Sequence, residues 1–233
     1  MIGPSPTTEF IYLTLKPSVK PEDPSSIEGK KFLDAISVVW KESGYIRSYW
    51  GRTVEKEENV VWVVEWRDPT TTAALDSLIP LLESGTQPIS FRVTLTPPLV
   101  TDRDALAISP VTEIIVLPFQ HTISPEDKAA LETDLINFRN ALFNIQSGKP
   151  PLSISTGWVE RPGPIPHDKS PSGQALLTVS AVGWESKEVH DKVLETKEFK
   201  QAIAPVNERT LPEIDGLGLR HVRFKRDEKA KGE

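Results

Sequence analysis

The stretch VVEWRDPTTTAAL, residues 63–75, is a strand-like apolar run that ends on Trp66 and meets a helix-start signal at once, Asp68 followed by Pro69. Much later, SAVGWESKEVHDKVL, residues 180–194, has the same outline, with Trp184 standing 118 positions after Trp66 (184 − 66). A strand that closes on Trp and leads into a capped helix, met twice in one chain, points to an internal repeat.

The segments around each copy extend the match. In the first half EFIYLTL, residues 9–15, alternates as a strand with one buried face. SSIEGKKFLDAISVVWKESG, residues 25–44, reads as a helix, with Ser25 and Glu28 as a capping box, Phe32, Ile36, Val39 and Trp40 on one face and Gly44 at its end. YIRSYWGRTVE, residues 45–55, and NVVWVVEW, residues 59–66, are two further strands. Asp68 then caps a second helix with a stripe of Leu75, Leu78, Ile79 and Leu82, kinked or ended by Pro80, before the strand ISFRVTL, residues 89–95.

The second half follows a linker at residues 99–110 and repeats the order. TEIIVLPF, residues 112–119, is its first strand, and Ser124 with Pro125 opens a helix carrying Leu131, Leu135, Phe138 and Leu142. SISTGWVE and ALLTVSAVGW are the middle strands, separated by the inserted loop RPGPIPHDKSPSG, residues 161–173. Ser186 caps a helix with Val189, Val193, Phe199 and Ile203 on its apolar side, and LGLRHVRF, residues 217–224, is the last strand. Each half therefore reads β-α-β-β-α-β, the ferredoxin-like arrangement of the α+β class. Such a unit leaves one face of its sheet bare, and two units in one chain can cover each other. The expected repeats are residues 1–98 and 111–226, followed by a disordered tail at 227–233.

Composition narrows the function. The 233 residues carry 27 Lys and Arg against 33 Asp and Glu, a net charge of −6, which argues against nucleic acid as a partner. There is no Cys, which removes disulfides, thiolate nucleophiles and Cys-based metal sites. No run approaches the roughly 18 apolar residues of a membrane span, and the opening MIGPSPTTEF lacks a basic segment followed by an apolar one, so a soluble cytoplasmic protein without a membrane partner is expected. Phosphate-binding glycine loops, a nucleophile elbow and HExxH are all absent, and the four His are scattered, so neither a cofactor nor a metal is expected.

The segment GWESKEVHDKVLETKEFKQAI, residues 183–203, resembles the third-strand and second-helix signature of the antibiotic-biosynthesis-monooxygenase group of dimeric α/β-barrel proteins, through Trp184, Ser186, Glu188, His190, Thr196 and Phe199. Val193 stands where members of that group often carry a second His, and in the first half Thr72 stands where His190 would fall. The resemblance implies a tandem form in which two repeats make an intramolecular α/β barrel, with a cavity between each sheet and its own helices. It further implies a small aromatic or polyketide-like ligand and a cofactor-independent oxygenation, or an acid-base cyclisation or decarboxylation, in secondary metabolism. The group also contains stress-related proteins without established activity and haem-handling barrels, so a non-catalytic scaffold and a haem-binding barrel are the alternative expectations. Homodimerisation is left open.

Candidate residues follow from these two sources. His190 and His121 are candidate bases, and Arg92, which interrupts an apolar strand, is a candidate oxyanion partner. Trp66 and Trp184 are candidate cavity walls at equivalent strand ends, with Tyr12, Trp50 and His221 as further lining residues. Each has a plain alternative as a core or exposed side chain, and His167, in the inserted loop, is expected to be solvated.

Overall fold

A computed structural model describes residues 5–23, 25–68, 70–99 and 104–227. The chain divides into two compact units, Met1–Thr94 with Val222–Glu233, and Leu95–His221. Both are mixed α+β structures with antiparallel sheets. Among the described residues no helix is long and apolar enough to cross a membrane.

The first unit contains β1 (Thr7–Thr14), α1 (Ile27–Ser37), β2 (Tyr45–Arg52), β3 (Asn59–Trp66) and β4 (Ile89–Val93), in the sheet order β2-β3-β1-β4. Ser26, not Ser25, caps α1, accepting a hydrogen bond from the Gly29 N–H, and such a cap contributes about 1 kcal/mol. The helix gives way to a 3-10 turn over Val38–Lys41, and Gly44, at φ +82°, reverses the chain into β2. Phe32, Ile36 and Val39 pack onto Ile11, Leu13, Trp50, Trp62 and Trp66 of the sheet.

The second helix expected in this half does not form. Asp68 instead closes a local turn, accepting from both the N–H and the hydroxyl of Thr70, while Pro69 lies outside the described residues. The three consecutive Thr that follow are β-branched and poor helix formers, and the Ala73 N–H is drawn onto the carboxylate of Glu9. Only a 3-10 turn remains, at Ile79–Leu81, yet Leu78, Leu81 and Leu82 still cover the core that a helix would have covered.

The second unit contains β5 (Val111–Gln120), α3 (Pro125–Phe143), β6 (Ser153–Arg161), β7 (Ile165–Pro166), β8 (Gln174–Trp184), α4 (Lys187–Glu195), α5 (Lys197–Asn207) and β9 (Arg220–Val222). Its order, β6-β8-β5-β9, has the same pattern as the first unit. A short helix, α2 (Ala105–Ile108), capped by Asp104, occupies the segment expected to be a linker. The helix read as continuous after Trp184 is broken at Thr196, whose ψ of 150° is extended; its hydroxyl both accepts from the Phe199 N–H to cap α5 and donates to the Val193 carbonyl.

Two further expectations are corrected. His167 is 5% exposed and not solvated, because its Nε2 lies 2.9 Å from the Pro212 carbonyl and its Nδ1 accepts from the Lys169 N–H. The last strand is shorter than 217–224, ending at Val222, and is followed by β10 (Lys225–Arg226), which pairs with β2 in the first unit. Asp227 accepts hydrogen bonds from Trp40 Nε1 and the Ser48 hydroxyl, and the remainder of the expected disordered tail, 228–233, lies outside the described residues.

Candidate functional site

In the second unit, β5 places Glu113 two residues beyond Val111, the residue opposite Trp184 on β8. On a pleated strand this brings the Glu113 carboxylate to the face on which the indole ring lies, and Trp184 Nε1 donates to Glu113 Oε2 at 3.0 Å. One helical turn after the Ser186 cap, α4 sets the His190 ring against the indole, with centroids 4.9 Å apart. His190 Nε2 then lies 3.3 Å from Glu113 Oε2, and its Nδ1 lies 2.7 Å from Nε2 of His221 on β9. A carboxyl group and two imidazoles thus lie in one line of close polar contacts, hydrogen-bonded between the two imidazoles, and His190, His221 and Glu113 are respectively 1%, 2% and 6% exposed.

Burial sets the charge of this line. It pushes the Glu113 carboxyl up to about 7, opposed by the Trp184 hydrogen bond, because a carboxylate loses its water there. It also drops the His190 imidazole to about 4, helped by the neighbouring His221. Both groups are thereby held toward their neutral forms, and a neutral carboxyl group can donate its proton along the line to an imidazole nitrogen.

The first unit has the corresponding place filled differently. Glu9 stands two residues beyond Thr7, the residue opposite Trp66, and Trp66 Nε1 donates to Glu9 Oε2 at 2.9 Å. Thr72, Ser90 and the Ala73 N–H supply three more donors to the same carboxylate. Arg92, opposite Glu9 on β4, places its Nε 3.9 Å away. Where the second unit has two imidazoles, the first has two hydroxyls and a guanidinium.

The remaining nominated residues lie elsewhere. His121 sits in the exposed turn after β5, at the opposite end of that strand from Glu113. Tyr12 points to the opposite face of β1 from Glu9 and packs on Phe91. Trp50 lines a cleft of about 1110 Å³ in the first unit, bordered by Lys20, Arg52, Glu58 and Glu83, and its ring lies 5.4 Å from Lys225 Nζ. The second unit has a slot of about 150 Å³. None of the four His lines either cavity, and Trp66 and Trp184 do not reach them. Among the described residues no group of three or more His, Asp or Glu is arranged to hold a metal ion.

Sequence reasoning passed over Glu9 and Glu113, although the signal was present: both first strands open on Thr-Glu before an apolar run, as TEF at 8–10 and TEI at 112–114. An acidic residue inside a strand that is otherwise buried requires a partner, and the Trp nominated in each repeat is that partner.

Comparison with known proteins gives the class. No family model and no curated protein matches this chain. Among solved structures it is similar to an anthrone oxidase-like protein, with a TM-score of 0.62 and 12% identity, covering 97% of this chain and 94% of that one. A candidate monooxygenase from Lactobacillus acidophilus NCFM gives 0.52 and 10%, covering 97% and 95% of the two chains. A candidate chlorite dismutase gives 0.53 and 13%, with 96% of each chain covered. At these identities the likeness shows a shared fold, that of the α/β-barrel class.

Proposed function

We propose that this chain is a tandem α/β-barrel protein of two ferredoxin-like repeats, in which the second repeat carries out acid-base chemistry on a small aromatic or polyketide-like molecule. The observation that carries this reading is the buried line Glu113, His190 and His221, a set of exchangeable protons at the place where the first repeat has a fixed ion pair. With α4 moved off the sheet and its Nε2 released from Glu113, His190 takes a proton from an activated carbon of the ligand, and His221 on its other nitrogen shares the charge. The resulting enolate or phenolate then carries its own reactivity, toward oxygen, ring closure or loss of carbon dioxide, so the protein supplies position and charge stabilisation without a cofactor. With an anthrone, deprotonation followed by reaction with oxygen gives the anthraquinone and water.

Oxygen uptake and quinone formation on adding an anthrone to the purified protein test this, with His190→Gln and Glu113→Gln as controls. Turnover that falls in both variants supports the reading. Turnover equal to buffer, or unchanged in both variants, removes it.

A second reading, a non-catalytic scaffold, is favoured by one specific observation. Trp66, Trp184 and His190 are each no more than 1% exposed, so a ligand reaches the line only if α4 moves away from the sheet. Protection of the His190 and Trp184 amides from hydrogen exchange, undiminished by any ligand, would favour the scaffold. The haem-binding alternative fits the residues poorly. The His190 and His221 ring nitrogens face each other, the second His190 nitrogen faces Glu113, and an axial ligand would have to break that line.

A further inference from the structure

The slot of about 150 Å³ in the second unit has none of Glu113, His190 and His221 in its lining. Its walls are apolar, and three of them, Ile108, Phe143 and Leu152, are 47%, 39% and 42% exposed, a concentration of solvent-facing apolar surface around one depression. Arg139, one turn before Phe143 on α3, is the cation of the slot. Its guanidinium lies 5.8 Å from the Phe143 ring centroid. Its Nε is buried without a hydrogen-bond partner, and among the described residues Arg139 pairs with no carboxylate.

A guanidinium N–H removed from water and left unpaired is destabilising, and the planar fork of the group matches a carboxylate. The slot therefore combines an apolar hollow with a guanidinium in its lining that, among the described residues, no carboxylate neutralises. A volume near 150 Å³ matches a group the size of a single benzene ring. We propose that this slot, formed by Ile108, Phe143 and Leu152 around Arg139, binds a small apolar carboxylate, a single-ring or short branched acid whose carboxylate meets Arg139. None of Glu113, His190 and His221 lines this slot, so binding there is read independently of turnover at the imidazoles.

Calorimetric titration of the full chain with benzoate, and with benzamide as its uncharged counterpart, tests the proposal. Benzoate is expected to bind the unaltered protein, and Arg139→Gln, on a partly exposed helix face, to weaken benzoate roughly tenfold while leaving benzamide unchanged. Leu152→Trp, at a rim position, is expected to fill the slot and abolish binding of both, with thermal melts showing that each variant is folded. Absence of benzoate binding to the unaltered protein overturns the proposal. So does benzoate binding that survives Arg139→Gln undiminished, or that survives Leu152→Trp, since the ligand then lies elsewhere.

Discussion

Glu113 accepts a 3.0 Å hydrogen bond from Trp184 Nε1 across a pair of neighbouring strands, and the Glu9 to Trp66 pair reproduces that relationship at 2.9 Å in the other unit. The shared pair fixes where each carboxylate lies. What differs is the remaining company: the His190 imidazole, backed by His221, beside Glu113, and two hydroxyls, a backbone N–H and a guanidinium beside Glu9. The two units thus set the same carboxylate-to-indole pair beside an imidazole in one case and beside hydroxyls and a guanidinium in the other.

The Glu113 site makes stability depend on pH in a definite direction. Its carboxyl is raised from an ordinary 4.5 to about 7, so the folded chain holds this proton after the unfolded chain has lost it. That contribution is fully present below about pH 4.5 and is lost as pH rises through 7, amounting to about 3 kcal/mol. Glu113→Gln removes the dependence. Urea unfolding of the variant and the unaltered protein at pH 5 and pH 8 is expected to show the variant gaining about 3 kcal/mol relative to the unaltered protein at the higher pH. His190, lowered to about 4, acts in the opposite sense, its contribution being present above 6.5 and lost as pH falls through 4. The two therefore offset one another in the unaltered protein between roughly pH 4.5 and 6.5, and the variant exposes the slope that they hide.

Glu9 and Arg92 lead to the reverse expectation. Both are buried, and Glu9→Gln removes a carboxylate that lies 3.9 Å from the Arg92 Nε, at a cost of about 1–3 kcal/mol. Arg92→Met should cost less, because Glu9 keeps four hydrogen-bond donors. A double-mutant cycle on unfolding free energies is the measurement. A coupling indistinguishable from zero would show that the 3.9 Å approach contributes nothing and that the hydrogen bonds alone hold Glu9.

How far the sequence reached depends on what kind of interaction decides each element. Strand β3 was legible to the residue, as Asn59–Trp66, because its apolar run and flanking charged turn are local properties. Trp66 and Trp184 were legible as equivalent positions for the same reason. The lost helix after Asp68 was not, since the outcome turns on the Ala73 N–H reaching Glu9, a residue 64 positions away. His190 could be read as a candidate base from its place on α4. The line it joins could not, because β5, α4 and β9 meet only in the folded unit: the Thr-Glu opening of β5 marks Glu113 as needing a partner but does not name His190, and the His190 to His221 pairing has no local signature.

Gly51 offers a test of the segment that follows Val222. A Cβ built on Gly51 would lie 2.4 Å from the Arg223 carbonyl oxygen and 2.8 Å from a Val222 methyl group, closer than any real contact. The obstruction is backbone, so it cannot be relieved by turning a side chain. Gly51→Ala must therefore push the chain at Val222 and Arg223 away from β2, taking with it the Thr53 to Val222 bridge and the pairing of Lys225 with Trp50. Because β2 keeps its full pairing with β3 on the other side, the loss should be local, of order 1–3 kcal/mol, and seen first at the C-terminus. Limited proteolysis at Arg223, Lys225 and Arg226 reads it directly: cleavage should accelerate in the variant while the amides of β3 remain protected. Equal cleavage rates in the two proteins would mean that the close packing of Val222 and Arg223 on Gly51 does not hold this segment in place.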